Sequence, residues 1–91
     1  MTVSVRVPTI LRSLTGGNAV VTGTPGTVRE VIAGLDADYP GIGGRLLDDG
    51  GQLRRFVNVY VDDEDIRLAQ GLDTPVPAGG QLTVIPAVAG G

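Results

Sequence analysis

The chain has 91 residues, a formal net charge of −3, and neither cysteine nor histidine. That length suits one small domain, and the two missing residue types exclude disulfides, thiol nucleophiles, zinc sites of the usual kind and imidazole acid–base chemistry. The acidic balance argues against nucleic acid as a partner, and nowhere does an apolar run reach the roughly 18 residues of a membrane span.

The branched aliphatics, 13 Val, 9 Leu and 5 Ile, suffice for one core at this size. All seven basic residues are Arg. A GC-rich genome accounts for that, and a second consequence is that the chain offers no lysine amine to an activated carboxyl. The start, Met1-Thr2-Val3-Ser4-Val5-Arg6, has no signal-peptide layout, so the expected location is the cytoplasm.

Val3, Val5 and Val7 alternate with Thr2, Ser4 and Arg6, the period of a half-buried strand that Pro8 ends. Residues 9–18 read as a wide turn carrying Leu11 and Leu14, with Gly16-Gly17 supplying positive φ. Residues 19–22 read as a short strand returning antiparallel, and residues 23–26 as a turn. Thr27 and Glu30 form a capping box, and Val28, Val31, Ile32 and Leu35 follow at helical spacing. The helix is expected to end near Asp38, ahead of Tyr39-Pro40-Gly41. Residues 42–47 suggest a further turn of helix, and residues 48–51 a loop. Residues 54–61 make the strongest strand, with Val57, Val59 and Val61 on one face and Phe56, Asn58 and Tyr60 on the other. Residues 62–65, all acidic, read as a solvated hairpin tip, since they lack the alternate ligand spacing and glycine of a calcium loop. Residues 66–68 suggest a short strand and residues 71–80 a turn-rich connection. Residues 81–85 close the sheet with Leu82 and Val84 inward. The expected core is Val3, Val5, Val28, Val31, Ile32, Leu35, Val57, Val59 and Leu82. The fold class is α+β: one main helix packed across one face of a mixed sheet of about five strands.

After the last strand come Pro86 and then Ala87-Val88-Ala89-Gly90-Gly91. Two terminal glycines are a weak signal in a chain with 15 glycines. A frayed end is one reading. The other is a reactive arm: five residues reach about 17 Å, and glycine lets backbone approach a nucleotide closely. Gly16-Gly17 and Gly79-Gly80 read as turns, so only the final pair carries a free carboxylate. This divides the chain into a domain over 1–86 and a flexible tail over 87–91.

The element order, ending on a strand that runs into Gly-Gly, resembles the β-grasp, ubiquitin-like fold. Bacterial proteins with this ending are sulfur carriers, the molybdopterin synthase small subunit and the thiamine thiazole carrier among them. The likeness is closest to the CysO-like carriers of actinobacteria. It lies in Pro8-Thr9-Ile10-Leu11-Arg12, in the stretch from Phe56-Val57-Asn58-Val59-Tyr60 through Ile66-Arg67, and in the tail. The resemblance implies chemistry at Gly91, with Gly90 giving access. An ATP-dependent activating enzyme would adenylate the terminal carboxylate, and a sulfur donor would convert it to a thiocarboxylate. A biosynthetic enzyme would then accept the sulfur, with cysteine synthesis favoured over molybdopterin, thiamine, methionine or a thiosugar. ATP and magnesium would belong to the activating enzyme, and the carrier itself would bind no cofactor or metal. The chain would be a monomer and not an enzyme. A ubiquitin-like modifier and a non-reactive binding module remain as alternatives.

The alternation of the last two strands adds a docking expectation. If Val57, Val59 and Val61 face the helix, Phe56, Tyr60 and Ile85 face solvent beside the root of the tail. Together with Val88 and Ala89 they form the expected partner-binding patch. A register shift of one residue would invert it.

Overall fold

The computed structural model describes residues 2–55 and 57–86, so Met1, Phe56 and residues 87–91 lie outside the description that follows. The expectations of a mobile tail and of Phe56 facing solvent fall on those residues.

A five-stranded sheet runs in the order β2-β1-β7-β4-β5, built from β1 (Val3–Arg6), β2 (Val20–Gly23), β4 (Val57–Val61), β5 (Glu64–Asp65) and β7 (Gln81–Pro86). The central pair, β1 and β7, is parallel, and both flank to antiparallel neighbours. That places the first and last strands of the chain side by side. The main helix, α1 (Val28–Asp38), covers one face, and a short α2 (Ile42–Leu46) packs beside it. Alternation decides which face is buried. Val3, Val5, Val57, Val59, Leu82 and Val84 point at the helix with at most 7% of their surface exposed. All nine residues expected in the core are buried, joined by Val7, Leu11, Val21, Ile42, Leu46, Val61, Ile66, Leu72 and Val76.

Local chemistry explains where α1 begins and stops. Thr27 Oγ1 accepts from the Glu30 amide at 3.2 Å, and Glu30 Oε1 accepts from the Thr27 amide at 2.9 Å, satisfying two amides that the first turn leaves unpaired. At the other end Asp36 Oδ1 accepts from the amides of Gly41 and Gly43, which fastens the entrance of α2 to α1.

Five segments differ from the sequence reading. Residues 9–15 are a 3₁₀-helix and not a wide turn. Its end is held by Thr15, whose hydroxyl donates to the Asn18 carbonyl while Asn18 Nδ2 donates to the Thr15 carbonyl. Gly16 and Gly17 then take the expected positive φ, 67° and 88°. Residues 66–68, expected as a strand, are also a 3₁₀-helix, because Asp65 Oδ1 accepts from the Arg67 amide and caps a helical turn. The tip at 62–65 is shorter than expected. Only Asp62 and Asp63 turn, both at positive φ, and Glu64–Asp65 already pairs back on β4 as β5. The ladder of β4 starts at Val57, so Arg54 and Arg55 lie before it. Finally, Gly26–Thr27 (β3), read as the end of a turn and the helix N-cap, and Pro75–Val76 (β6), read as part of a turn-rich connection, pair as a second, two-stranded sheet.

Candidate functional site

The candidate site is the end of β7 and the sheet face that helix α1 leaves uncovered. Amide directions explain how β7 accommodates a proline at its end. The Gly80 carbonyl accepts from Ser4 of β1, and the Gln81 carbonyl accepts from Asp62, which follows β4. Successive residues of a strand alternate in the side to which they hydrogen-bond. Leu82, Val84 and Pro86 therefore turn their backbone groups toward β1, and Thr83 and Ile85 turn theirs toward β4. The β1 pairing stops at Arg6 opposite Thr83. The donor that proline lacks would point past the end of β1, so Pro86 costs the sheet no bond. On the other side β7 stays paired with β4 up to Val57 opposite Pro86.

One row across the open face reads Val20, Arg6, Thr83, Tyr60 and Asp65, each opposite the next on the neighbouring strand. Nearer the tail, Ile85 lies opposite Asn58. Tyr60 and Asn58 are half-buried on this face, and Ile85 is 46% exposed. Of the residues expected in the docking patch, Tyr60 and Ile85 are thus placed on one face, while Phe56, Val88, Ala89, Gly90 and Gly91 lie outside the described residues.

Two apolar residues join this face that the sequence reading passed over. Ile10 is 70% exposed and Val20 51% exposed. Val20 had a signal: β2 returns antiparallel to β1, and once Val21 pairs with Val5 in the core, Val20 must fall on the other face with Arg6. Ile10 had a weaker one: Leu11 and Leu14 sit three apart, the 3₁₀ repeat, which leaves Ile10 on another side of that helix. A groove of about 650 Å³ runs along β7 on this face, from the Asp62–Asp63 tip to Ile10 and Ile85. Arg6 and Arg12 line the same groove. Arg12 is partly committed, donating from Nε to the Val7 carbonyl at 3.1 Å. Among the described residues no group of three side chains is placed to hold a metal ion, and no helix is long and apolar enough to cross a membrane.

The comparisons with known proteins agree with this geometry. The ThiS family profile matches residues 5–91. Sulfur carrier protein CysO of Mycobacterium tuberculosis is 50% identical over 93 residues, covering 100% of both chains. The crystal structure of the Amycolatopsis orientalis BexX/CysO complex contains a chain 47% identical, with a TM-score of 0.91 over 98% of this chain and 99% of that one. Small archaeal modifier protein 3 of Haloferax volcanii is 37% identical over 65 residues, 71% of this chain and 70% of its own. With its β-grasp sheet, and a match that runs to the last residue, the chain belongs to the ThiS family and is a sulfur carrier protein.

Proposed function

We propose that the chain carries sulfur as a thiocarboxylate on Gly91, delivered by a reactive tail over residues 87–91 from a β-grasp domain over 1–86. The observation that carries this reading is the family match running through Gly91, together with full-length coverage of a CysO relative. A sulfur carrier is a protein substrate of other enzymes and not a catalyst, so the chemistry asks little of its side chains. The carboxylate attacks ATP, giving an acyl adenylate and pyrophosphate. A donor's sulfur then displaces AMP and leaves C(O)S⁻, a soft nucleophile ionised at neutral pH. Gly90 and Gly91 suit this because a chain without side chains threads a narrow cleft.

The partners are an ATP-dependent activating enzyme, which supplies ATP and magnesium, and a biosynthetic enzyme that accepts the sulfur. Likeness to CysO favours an activated serine as acceptor, and hence cysteine synthesis. A CysO chain 47% identical to this one has been crystallised in complex with BexX, which supports recognition by a partner protein. The open face is the proposed grip: Phe56, Tyr60 and Ile85 with Val88 and Ala89, extended by Ile10 and Val20. The carrier acts as a cytoplasmic monomer.

Intact mass spectrometry of the protein from its native host tests the reading. Replacing one oxygen by sulfur adds about 16 Da, and deletion of Gly91 removes the increment. A second reading is that the chain conjugates to other proteins through an isopeptide bond, which the match to an archaeal modifier supports. Amide-linked adducts in the same spectra, with no thiocarboxylate, would favour it.

A further inference from the structure

β5 is too short to cover the strand it pairs with. It pairs only opposite Tyr60 and Val61 of β4, so the outer edge of β4 has no β5 residue beside Val57. By the alternation that puts Asn58 and Tyr60 in register bonds with β7, the backbone groups of Val57 and Val59 point to that outer edge. Val57 is also the first residue of β4 and lies opposite Pro86, the last described residue of β7.

One side chain fills the gap. Arg67, on the 3₁₀-helix Ile66–Leu68, donates from Nη2 to the Val57 carbonyl at 2.8 Å and to the Arg54 carbonyl at 3.3 Å. Its Nη1 donates to Asn58 Oδ1. The Arg54 carbonyl also accepts from the Val57 amide at 3.1 Å, so the guanidinium closes a network around the first residue of β4. The base of Arg67 is fixed as well: its amide donates to Asp65 Oδ1 at 2.9 Å, and the neighbouring Ile66 is 1% exposed in the core. Asn58, which the same guanidinium holds, lies opposite Ile85. One rigid planar fork thus ties together the strand end, the loop before it and a side chain on the open face, a geometry that a lysine ammonium does not reproduce.

We infer that Arg67 is a positioning residue for loading of the carrier. It stands in for the missing part of β5 and holds Val57 and Asn58, which lie opposite Pro86 and Ile85, and so steadies the end of β7 that carries the proposed arm. An arm of five residues whose root is fixed presents its end to a partner's cleft in fewer arrangements than one whose root frays. That saving in disorder appears in the rate of the chemical step. Arg67 touches no reacting atom. The inference rests on the proposal that Gly91 is the reactive residue.

The test uses the full chain with Arg67→Met, which keeps the stem and removes the fork, and Arg67→Lys, which keeps the charge. Amide hydrogen exchange is followed at Asn58 and Ile85, with Tyr60 and Thr83 as internal controls on the same two strands. Steady-state ATP–pyrophosphate exchange is followed with the cognate activating enzyme, at a temperature where all variants are folded. The expected result is faster hydrogen exchange at 58 and 85 but not at 60 and 83. It is accompanied by a kcat lowered about fivefold or more in both variants, with KM within about twofold of wild type. Unchanged kcat would overturn the inference, whether or not hydrogen exchange changes, because Arg67 would then be at most structural. A rise in KM alone would overturn it too, by making Arg67 a docking contact. Wild-type carrier with one residue added after Gly91 completes the set. If that protein is still adenylated, the Gly91 reading has failed and the positioning role falls with it. If it is inert while the Arg67 variants behave as wild type, only the positioning role fails.

Discussion

Val57 and Pro86 face each other as the last pair between β4 and β7 among the described residues, and β7 is the middle strand of the sheet, not its rim. The β1 pairing has ended on one side of Pro86, and the first residue of β4 lies opposite it on the other. The proposed arm would therefore be rooted on the central strand, which has two others on either side.

Extending the chain by one residue after Gly91 is expected to abolish adenylation and leave the fold intact. The added residue moves the carboxylate about 3.5 Å further along and puts an amide where the reacting oxygen was. ATP–pyrophosphate exchange with the activating enzyme reads the first effect, and a melting curve the second. Undiminished exchange would refute the proposal that Gly91 is the loading site.

Ile32 is 1% exposed in the middle of the apolar stripe of α1. Ile32→Ala should cost about 2–4 kcal/mol, a large share of the roughly 5–10 kcal/mol that holds a domain of this size together. Denaturant titration measures it directly. The capping box gives a smaller, separate effect: Thr27→Ala should cost about 1 kcal/mol. A null result for Ile32→Ala would contradict the packing of α1 on the sheet.

The hairpin between β4 and β5 turns on two non-glycine residues at positive φ, Asp62 at 51° and Asp63 at 85°. Two-residue turns of this hand favour glycine at the second position. Asp62 has a compensating bond, its Oδ1 accepting from the Gln81 amide at 3.0 Å. Asp63→Gly is therefore expected to stabilise the protein by up to about 1 kcal/mol, raising the melting temperature by a few degrees. Asp62→Gly would forfeit its bond to Gln81 and is expected to gain less or to lose stability. Equal melting temperatures for the two variants would show that the Asp62 carboxylate contributes nothing.

Regular repetition is what made most of the fold legible. The Val28–Leu35 stripe, the Thr27–Glu30 box and the alternating valines of β1 and β4 each repeat a spacing that only one element satisfies, and each forms where expected. Two kinds of feature were not legible. The 3₁₀ turn Ile66–Leu68 lasts three residues, too few for a period to show, and it forms where the Asp65 carboxylate caps it. Pairings such as Gly26 with Val76 join residues far apart in sequence. The same distance hid the network of Arg67, whose acceptors Val57 and Arg54 lie ten and thirteen residues away. The candidate site divides along the same line. Tyr60 and Ile85 followed from alternation, while Ile10 needed the 3₁₀-helix to be seen before it could be placed.

The grip on partners gives the last prediction. Ile85 is 46% exposed at the root of the tail, and Ile10 is 70% exposed at the end of the same groove. A half-exposed isoleucine adds little to the core, so Ile85→Ser should change the melting temperature only slightly. If a partner covers it, the loss should appear in binding: a fully covered aliphatic side chain contributes about 1.5–3 kcal/mol, and each 1.4 kcal/mol is about tenfold in affinity. Ile85→Ser is expected to weaken binding to the activating enzyme about tenfold, and Ile10→Ser by a smaller factor. Phe56→Ala should behave like Ile85→Ser, and a large loss of stability instead would assign Phe56 to the core. Leu68 supplies the control: it is 85% exposed, it belongs to the 3₁₀-helix after β5, and it does not line the groove. Leu68→Ser removes as much exposed apolar surface elsewhere and should leave binding unchanged. Calorimetric titration of the four variants against the activating enzyme reads all of these effects. Equal affinity for Ile85→Ser and Leu68→Ser would show that partners do not grip the open face.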